Sequence, residues 1–168
     1  MKIHMVSLED GITAIGFRRM AAFVQQLNAD TGVFYVGTRL YLSLSKLIFR
    51  TMGQPQSFGK GQIEETAETL AAADLVAFSS MTGYAGLTKE ITARIRAVNP
   101  RAYVMWGGIH PIIYPEDAIH SDVDAICTGE GEFAFSEFIH RLEEGRDYRD
   151  VSNFWFKVLP WSTRTIVG

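Results

Sequence analysis

The sequence has almost no cysteine, because only Cys127 among its 168 residues carries a thiol. A single thiol excludes an internal disulfide. It also excludes a zinc or iron–sulfur site built from the cysteines of this chain, because such sites need three or four thiolates. We therefore expect no redox cluster that this chain holds alone.

Positive charge and long apolar runs are also scarce. The 16 basic residues face 19 acidic ones, the net charge is −3, and no basic block occurs, which argues against nucleic-acid binding. The unbroken apolar stretches, such as residues 75–78, are far shorter than the roughly 20 residues that span a bilayer. Charged residues interrupt the first part of the chain where a signal peptide needs an apolar core. We expect a cytoplasmic protein with no transmembrane segment.

Hydrophobic residues make up 47% of the chain, and they follow two alternating patterns. Short runs rich in β-formers predict five strands, at residues 2–8, 32–36, 75–79, 102–106 and 123–128. Apolar residues three and four positions apart predict helices around residues 17–27, 87–98 and 135–142, and weaker ones at 39–51 and 62–73. The middle strands are apolar on both faces, as in a parallel sheet covered by helices on both sides.

This alternation predicts an α/β fold. We expect a doubly wound open parallel sheet of the Rossmann-like or flavodoxin-like type, with five strands in the order 2-1-3-4-5. Ligands of such sheets bind at the carboxyl ends of the strands, near the switch point between strands 1 and 3. We expect one domain over residues 1–157, followed by a connector or truncated tail at residues 158–168.

The loop after strand 1 contains Glu9, Asp10 and Gly11. Its acids suit a metal site such as that of a phosphoacceptor receiver domain, or they complement a helix N-terminus. A receiver also needs an aspartate after strand 3 and a lysine after strand 5, and the sequence has neither there. Helix capping is therefore the favoured interpretation.

The loop after strand 4 combines paired glycines with the histidine best placed to contact a ligand, His110. Gly107 and Gly108 allow close approach of the backbone or a positive φ. Pro111 and Pro115 are expected to hold the following chain extended instead of letting a helix begin directly. The other three histidines lie within a strand, a helix and a polar connection, and nothing in the sequence gives them a role beyond structure.

Small and acidic residues follow strands 3 and 5. Ser79 to Thr82 offer hydroxyl groups at the sheet edge, although serine and threonine are also common helix caps. The run Gly129, Glu130, Gly131, Glu132 makes a poor phosphate cradle because its two carboxylates repel a phosphate. No Ser, His and Asp arrangement at nucleophile-elbow spacing supports hydrolysis.

Together these loops carry a family resemblance. The segments 79–82, 107–111 with 115–116, and 128–132 resemble the N-terminal cobalamin (vitamin B12) binding domain of B12-dependent radical S-adenosylmethionine (SAM) enzymes. The resemblance covers roughly residues 1–157, and residues 153–157 look like the link toward the catalytic barrel. It implies that the corrin lies across the carboxyl edge of the sheet and that its dimethylbenzimidazole tail enters the crevice between sheet and helices. The implied cofactor-binding residues are Asp10, Gly11, Ser79, Ser80, Met81, Thr82, Gly107, Gly108, Ile109, His110, Gly129, Glu130 and Gly131.

The sequence departs from this family in two places. Many cobalamin domains carry Asp-x-His-x-x-Gly after strand 1, with the histidine as the lower cobalt ligand, whereas Ile12 stands at that histidine position here. We therefore predict cobalamin bound without a histidine ligand from this loop. The three-cysteine cluster motif of the radical enzymes is also missing, so the iron–sulfur cluster and SAM would belong to a downstream domain, in cis or in trans.

Two functions of different class follow from these features. The first is a cobalamin-binding module of a radical SAM methyltransferase or rearrangement enzyme, not catalytic by itself. The alternative is a flavodoxin-like sensor or protein-interaction domain that binds no cobalamin.

Overall fold

The computed structural model describes residues 1–9, 14–36 and 60–157. In this part of the chain, six strands form one sheet in the order β2-β1-β3-β4-β5-β6. The first five strands pair in parallel, which confirms the predicted fold class and strand order. The strands are β1 (Ile3–Ser7), β2 (Thr31–Tyr35), β3 (Leu75–Ser79), β4 (Tyr103–Gly107), β5 (Ala125–Cys127) and β6 (Phe154–Phe156).

Four of the six described helices lie in intervals where the apolar spacing predicts them, and the two short helices after β4 were not predicted. The candidate at residues 39–51 and the proposed tail at 158–168 lie outside the described residues. A 3-10 turn over Thr82–Tyr84 precedes α3. The described helices are α1 (Ile15–Leu27), α2 (Lys60–Leu70), α3 (Ala85–Val98), α4 (Ile109–Ile113), α5 (Pro115–Ile119) and α6 (Glu132–Glu143).

Two expectations need correction. The chain after β4 is not extended, because Pro111 lies in α4 and Pro115 begins α5. A proline in the first turn of a helix loses no hydrogen bond, since the N–H groups there have no intrahelical partner. Residues 153–157 are not a free link either, because Phe154–Phe156 pairs antiparallel with β5.

The sixth strand is held by aromatic packing. Phe154 and Phe156 lie 5.8 and 6.1 Å from the ring of Phe138 in α6, measured between ring centroids. Phe138 is completely buried, and Tyr148 also packs against it at 5.1 Å. This aromatic cluster packs the edge strand β6 against α6.

Helices cover both faces of the sheet. Along β3, alternate side chains point to opposite faces, so Val76 and Phe78 join one core and Leu75 and Ala77 join the other. The first core contains residues of α2 and α3, and the second contains residues of α1 and α6. Within the described ranges, no helix combines the length and the apolar character that crossing a membrane requires.

Candidate functional site

A cavity of about 740 Å³ opens at the carboxyl end of the sheet. Its walls come from the ends of β1, β3, β4 and β5, from the loops that follow them, and from α1 and α6. It therefore includes the junction of β1 and β3, where the chain direction of a doubly wound sheet switches. The sequence analysis expected a ligand site at this edge.

The inner wall of the cavity is a row of three side chains on neighbouring strands. Met5 is the register partner of Ala77, and Ala77 is the partner of Met105. All three belong to the core on the α1 and α6 side, and Phe17 and Phe135 from those helices complete the enclosure. Because alanine is small, the middle of the row is recessed between two methionines. The inner end of the cavity is therefore apolar.

The loops after β3 and β4 meet closely beside the cavity. Gly108 has φ +94°, and a Cβ atom there would lie 2.8 Å from both the N and the O atom of Ser80. The Ser80 N–H donates to the Gly107 carbonyl, and the His110 N–H donates to the Ser80 carbonyl, each at 3.2 Å. The glycine pair thus allows a tight backbone contact between these two loops.

Three of the residues implied by the resemblance do not line the cavity. Ser80 is completely buried, and its Oγ accepts a hydrogen bond from Trp106 Nε1 at 2.9 Å. His110 is 3% exposed, stacks on Trp106, and pairs through Nε2 with Asp117 at 2.9 Å. Thr82 begins the 3-10 turn. Their positions indicate that Ser80 and His110 support the loops that form the cavity wall.

Other implied residues do lie together at the cavity. Asp10 and Gly11 lie outside the described residues. The implied residues that line the cavity are Ser79, Met81, Gly107, Gly108, Ile109, Gly129, Glu130 and Gly131.

The loop after β5 is braced by the chain that leads into β6. Asn153 donates from its side-chain amide to the Glu130 carbonyl at 3.0 Å, and the Thr128 N–H donates to the Asn153 carbonyl at 2.9 Å. A Cβ at Gly129 would meet the Asn153 side chain at 2.8 Å, so this contact also requires glycine. Asn153 has no place among the sequence-derived site residues, because its role depends on the sixth strand.

Charge at the cavity is mixed. Burial raises the pKa of the Glu9 carboxyl, and Glu132 lies 3.4 Å from Arg19, measured between carboxylate and guanidinium. Burial also raises the pKa of the Cys127 thiol, which donates a hydrogen bond to the Gly129 carbonyl. The thiol therefore stays protonated at neutral pH.

None of the four histidines of the sequence belongs to the cavity wall. His4 lies within β1 and contacts the Leu70 carbonyl at 3.1 Å, and His110 is engaged behind the wall. His120 and His140 are exposed on helices or helix ends. Imidazole ligation from the described cavity wall is therefore not available.

Sequence reasoning missed the inner wall because Met5, Ala77 and Met105 have the pattern of ordinary core residues. A positional signal exists, however. Each of them stands two residues before the last residue of its strand, and parallel strands in register bring such positions side by side. That these positions line a cavity depends on how α1 and α6 pack over the sheet, and the sequence of one segment does not show that.

Together, the sheet order and the cavity define a doubly wound α/β domain with a ligand cleft at its switch point. A family model described as the B12 binding domain matches residues 20–139, which is more than half of the chain. The chain therefore belongs to the B12-binding domain family, as the resemblance implied.

Comparison with known proteins agrees with this assignment. The uncharacterized methyltransferase PH0819 of Pyrococcus horikoshii is 26% identical over 86 residues, which are 50% of this chain and 19% of that protein. Part of the radical SAM methyltransferase TsrM of Kitasatospora setae has the same fold as this chain. Its structure with tryptophan and a SAM analogue gives a TM-score of 0.65 at 16% identity, covering 90% of this chain and 27% of TsrM. Its structure with cobalamin and a 4Fe-4S cluster gives 0.63 at 17% identity, covering 92% and 27%.

Proposed function

We propose that this chain is the cobalamin-binding module of a radical SAM enzyme and that it holds the corrin across the carboxyl ends of its strands. The observation that carries the proposal is the cavity of about 740 Å³ at the switch point, in a chain of the B12-binding family. This volume falls within the range of ordinary small-molecule and cofactor sites, roughly 300–1,000 Å³.

The mouth of the cavity suits a flat, largely apolar macrocycle. Ile15, Met81, Ile109 and Ile112 all line the cavity, yet they remain 73%, 43%, 49% and 49% exposed. Exposed apolar side chains gathered at one edge are typical of binding surfaces. A corrin lying over them would remove this apolar surface from water, which favours binding.

The inner part of the cavity suits the nucleotide tail of the cofactor. The row formed by Met5, Ala77 and Met105 leaves an apolar crevice between the sheet and the helices α1 and α6. Gly107 at the end of β4 and Gly131 just before α6 both line the cavity without adding a side chain to it. Asp10, Gly11 and Thr82 stay assigned to the cofactor through the family resemblance alone, and Ser80 and His110 act as positioning residues.

The parent activity that we favour is methyl transfer. Both named relatives are methyltransferases, and this chain spans 19% of one and 27% of the other. Cobalamin would supply the metal that carries the methyl group, and a further domain, in cis or in trans, would hold the iron–sulfur cluster and SAM. Residues 1–157 would form the cobalamin domain, residues 158–168 a connector, and a cytoplasmic location suits such a cluster because thiolates stay reduced there.

Reconstitution tests the proposal directly. The purified chain is mixed with hydroxocobalamin and passed through a gel-filtration column. We expect corrin absorbance to elute with the protein, and we expect the midpoint of thermal unfolding to rise with cobalamin concentration, because a ligand of the native state stabilises it by mass action. Protein that elutes without corrin and shows no thermal shift would contradict the proposal.

A matched pair of variants makes this test specific to the cavity. Gly16 and Gly86 are each the second residue of a helix, and a Cβ added at either meets nothing within 4 Å. Only Gly16 lines the cavity. We expect Gly16→Trp to weaken cobalamin binding by roughly tenfold or more through steric obstruction of the mouth, and Gly86→Trp to bind as the unmodified chain does. Equal binding by both variants would place the cofactor elsewhere.

A further inference from the structure

Among the described residues, those at the inner end of the cavity offer almost no hydrogen-bonding groups to a ligand. The floor of this end is the row of Met5, Ala77 and Met105, whose strands use their backbone N–H and C=O groups to pair with each other in the sheet. Phe17 and Phe135 close the sides. A ligand group that reaches this end therefore exchanges water for hydrocarbon, aromatic carbon and thioether sulfur.

In the described ranges, the polar side chains that line the cavity lie at or beyond the strand ends, lie on α1 or α6, or are already engaged. Glu9, for example, comes two residues after the end of β1. Ser79 is the last residue of β3, two positions beyond the floor. The Cys127 thiol donates to the Gly129 carbonyl, and the Thr128 hydroxyl donates to the Asn153 carbonyl at 3.4 Å. Hydrogen-bonding capacity is thus concentrated toward the strand ends, whereas the inner end is apolar.

We infer that this inner end selects the base that terminates the cobamide tail, accepting a benzimidazole and discriminating against a purine. The inference rests on the proposed function. A purine carries additional ring nitrogens, and adenine carries an amino group, all of which bind water in solution. Among the described side chains at this end of the cavity they find no partners, and burying a polar group without a hydrogen bond is costly. A dimethylbenzimidazole presents methyl groups at the same edge.

The methionines favour an aromatic base of either kind and so do not provide the selectivity. Thioether sulfur makes favourable contacts with aromatic rings, and methionine adapts its shape to what it contacts. Met5, Met20 and Met105 all line the cavity. The discrimination comes from the groups that the crevice lacks, and it should be moderate, since apolar pockets reject added polar groups only weakly, by roughly 10- to 100-fold.

Equilibrium binding of three corrinoids to the full chain tests the inference. Hydroxocobalamin, its adenine-containing analogue and cobinamide, which lacks the nucleotide tail, are titrated separately, with corrin absorbance and thermal shift as readouts. We expect the adenine analogue to bind roughly 10- to 100-fold more weakly than cobalamin. Equal affinity of these two would overturn the inference and leave the proposed function intact. Cobinamide binding as tightly as cobalamin would also overturn it, because the tail would then contribute nothing. Failure of all three corrinoids to bind would contradict the proposed function itself.

A polar group introduced at the crevice should reduce the discrimination. Glutamine matches methionine in length and supplies both a donor and an acceptor. We expect Met105→Gln to bring the two affinities closer together, and Ala77→Ser, which adds a hydroxyl group at the middle of the same row, provides a second test should the glutamine variant fold poorly. The control is Met81→Gln, which changes an exposed methionine at the mouth and should leave the ratio unchanged. An unchanged ratio in both crevice variants would count against the inference.

Discussion

At the scale of single residues, Gly108 shows how the site depends on one backbone conformation. Its φ of +94° and ψ of −167° lie in a region that is essentially restricted to glycine. The backbone of Ser80 also occupies the space that a side chain would need. The paired glycines in the sequence suggested either close approach or positive φ, and the second glycine of the pair has both.

Replacing this glycine should therefore destabilise the protein strongly. We expect Gly108→Ala to lower the free energy of unfolding by about 3 kcal/mol, from backbone strain and the clash with Ser80. Gly86→Ala is the control, because its helical position is open and the change should stabilise by about 0.5 kcal/mol. Urea unfolding of both variants measures the difference, and similar stabilities would show that the loop rearranges freely.

His4 gives the stability a pH dependence. The ring is 4% exposed within β1, and its Nδ1 donates to the Leu70 carbonyl. Burial lowers the pKa of His4 below its ordinary value of 6.5, while the Leu70 carbonyl partly opposes this. The unfolded chain therefore takes up the proton first as pH falls, so this contribution to stability is complete above about pH 6.5 and decreases below it.

Urea unfolding at a series of pH values from about 8 to about 5 tests this dependence. We expect the free energy of unfolding to decline below about pH 6.5, and we expect His4→Gln to flatten that decline. The exposed His120 supplies the control variant His120→Gln, which should keep the decline of the unmodified chain. An identical pH profile for His4→Gln would rule out His4 as its source.

At the scale of elements, α6 has one face in the core and one face in solvent. Phe138 is completely buried in the aromatic cluster that holds β6, whereas Phe133 on the same helix is 86% exposed. The apolar spacing along residues 135–142 predicted the buried face correctly. It did not predict β6, because a three-residue edge strand has too few positions to show a period.

The two phenylalanines provide a matched test of this arrangement. We expect Phe138→Ala to lower the free energy of unfolding by about 3–5 kcal/mol, through the loss of buried area and the cavity left behind. Phe133→Ala should change it by less than about 0.5 kcal/mol. Chemical denaturation followed by circular dichroism measures both, and a mild effect of Phe138→Ala would mean that β6 packs loosely.

At the scale of the whole molecule, the distribution of histidines bears on the cobalt. None of the four lines the cavity. In the loop after β1, Ile12 stands where many family members carry a histidine. We therefore expect bound cobalamin in its Co(II) form to show no coordination by a protein nitrogen in its electron paramagnetic resonance spectrum.

Isotope labelling identifies the source of any nitrogen signal. Protein grown on the heavy nitrogen isotope changes the splitting only if the nitrogen belongs to the protein, whereas a nitrogen of the cofactor tail is unaffected. The variant His110→Gln serves as a further check, since His110 lies behind the wall and its replacement should leave the spectrum unchanged. A splitting that responds to the label would contradict the prediction.

The amino-acid sequence by itself determined the order of the first five strands, the edge of the sheet at which the cavity lies, and the family. These depend on local properties of the sequence. They are the spacing of apolar residues, which differs between strands and helices, and short loop motifs such as residues 107–111. Parallel strands joined by helices have few permitted arrangements, so the order followed from the alternation.

The tertiary structure decided which residues form the walls of the cavity. Ser80 and His110 stand in motifs that suggest ligand contact, yet their side chains bind neighbouring parts of the fold instead. Met5, Ala77 and Met105 look like ordinary core in sequence and are only 3–6% exposed, yet they line the cavity between the sheet and the helices α1 and α6. Whether a buried apolar residue faces another side chain or a cavity depends on how distant segments pack. Local sequence patterns do not contain that information.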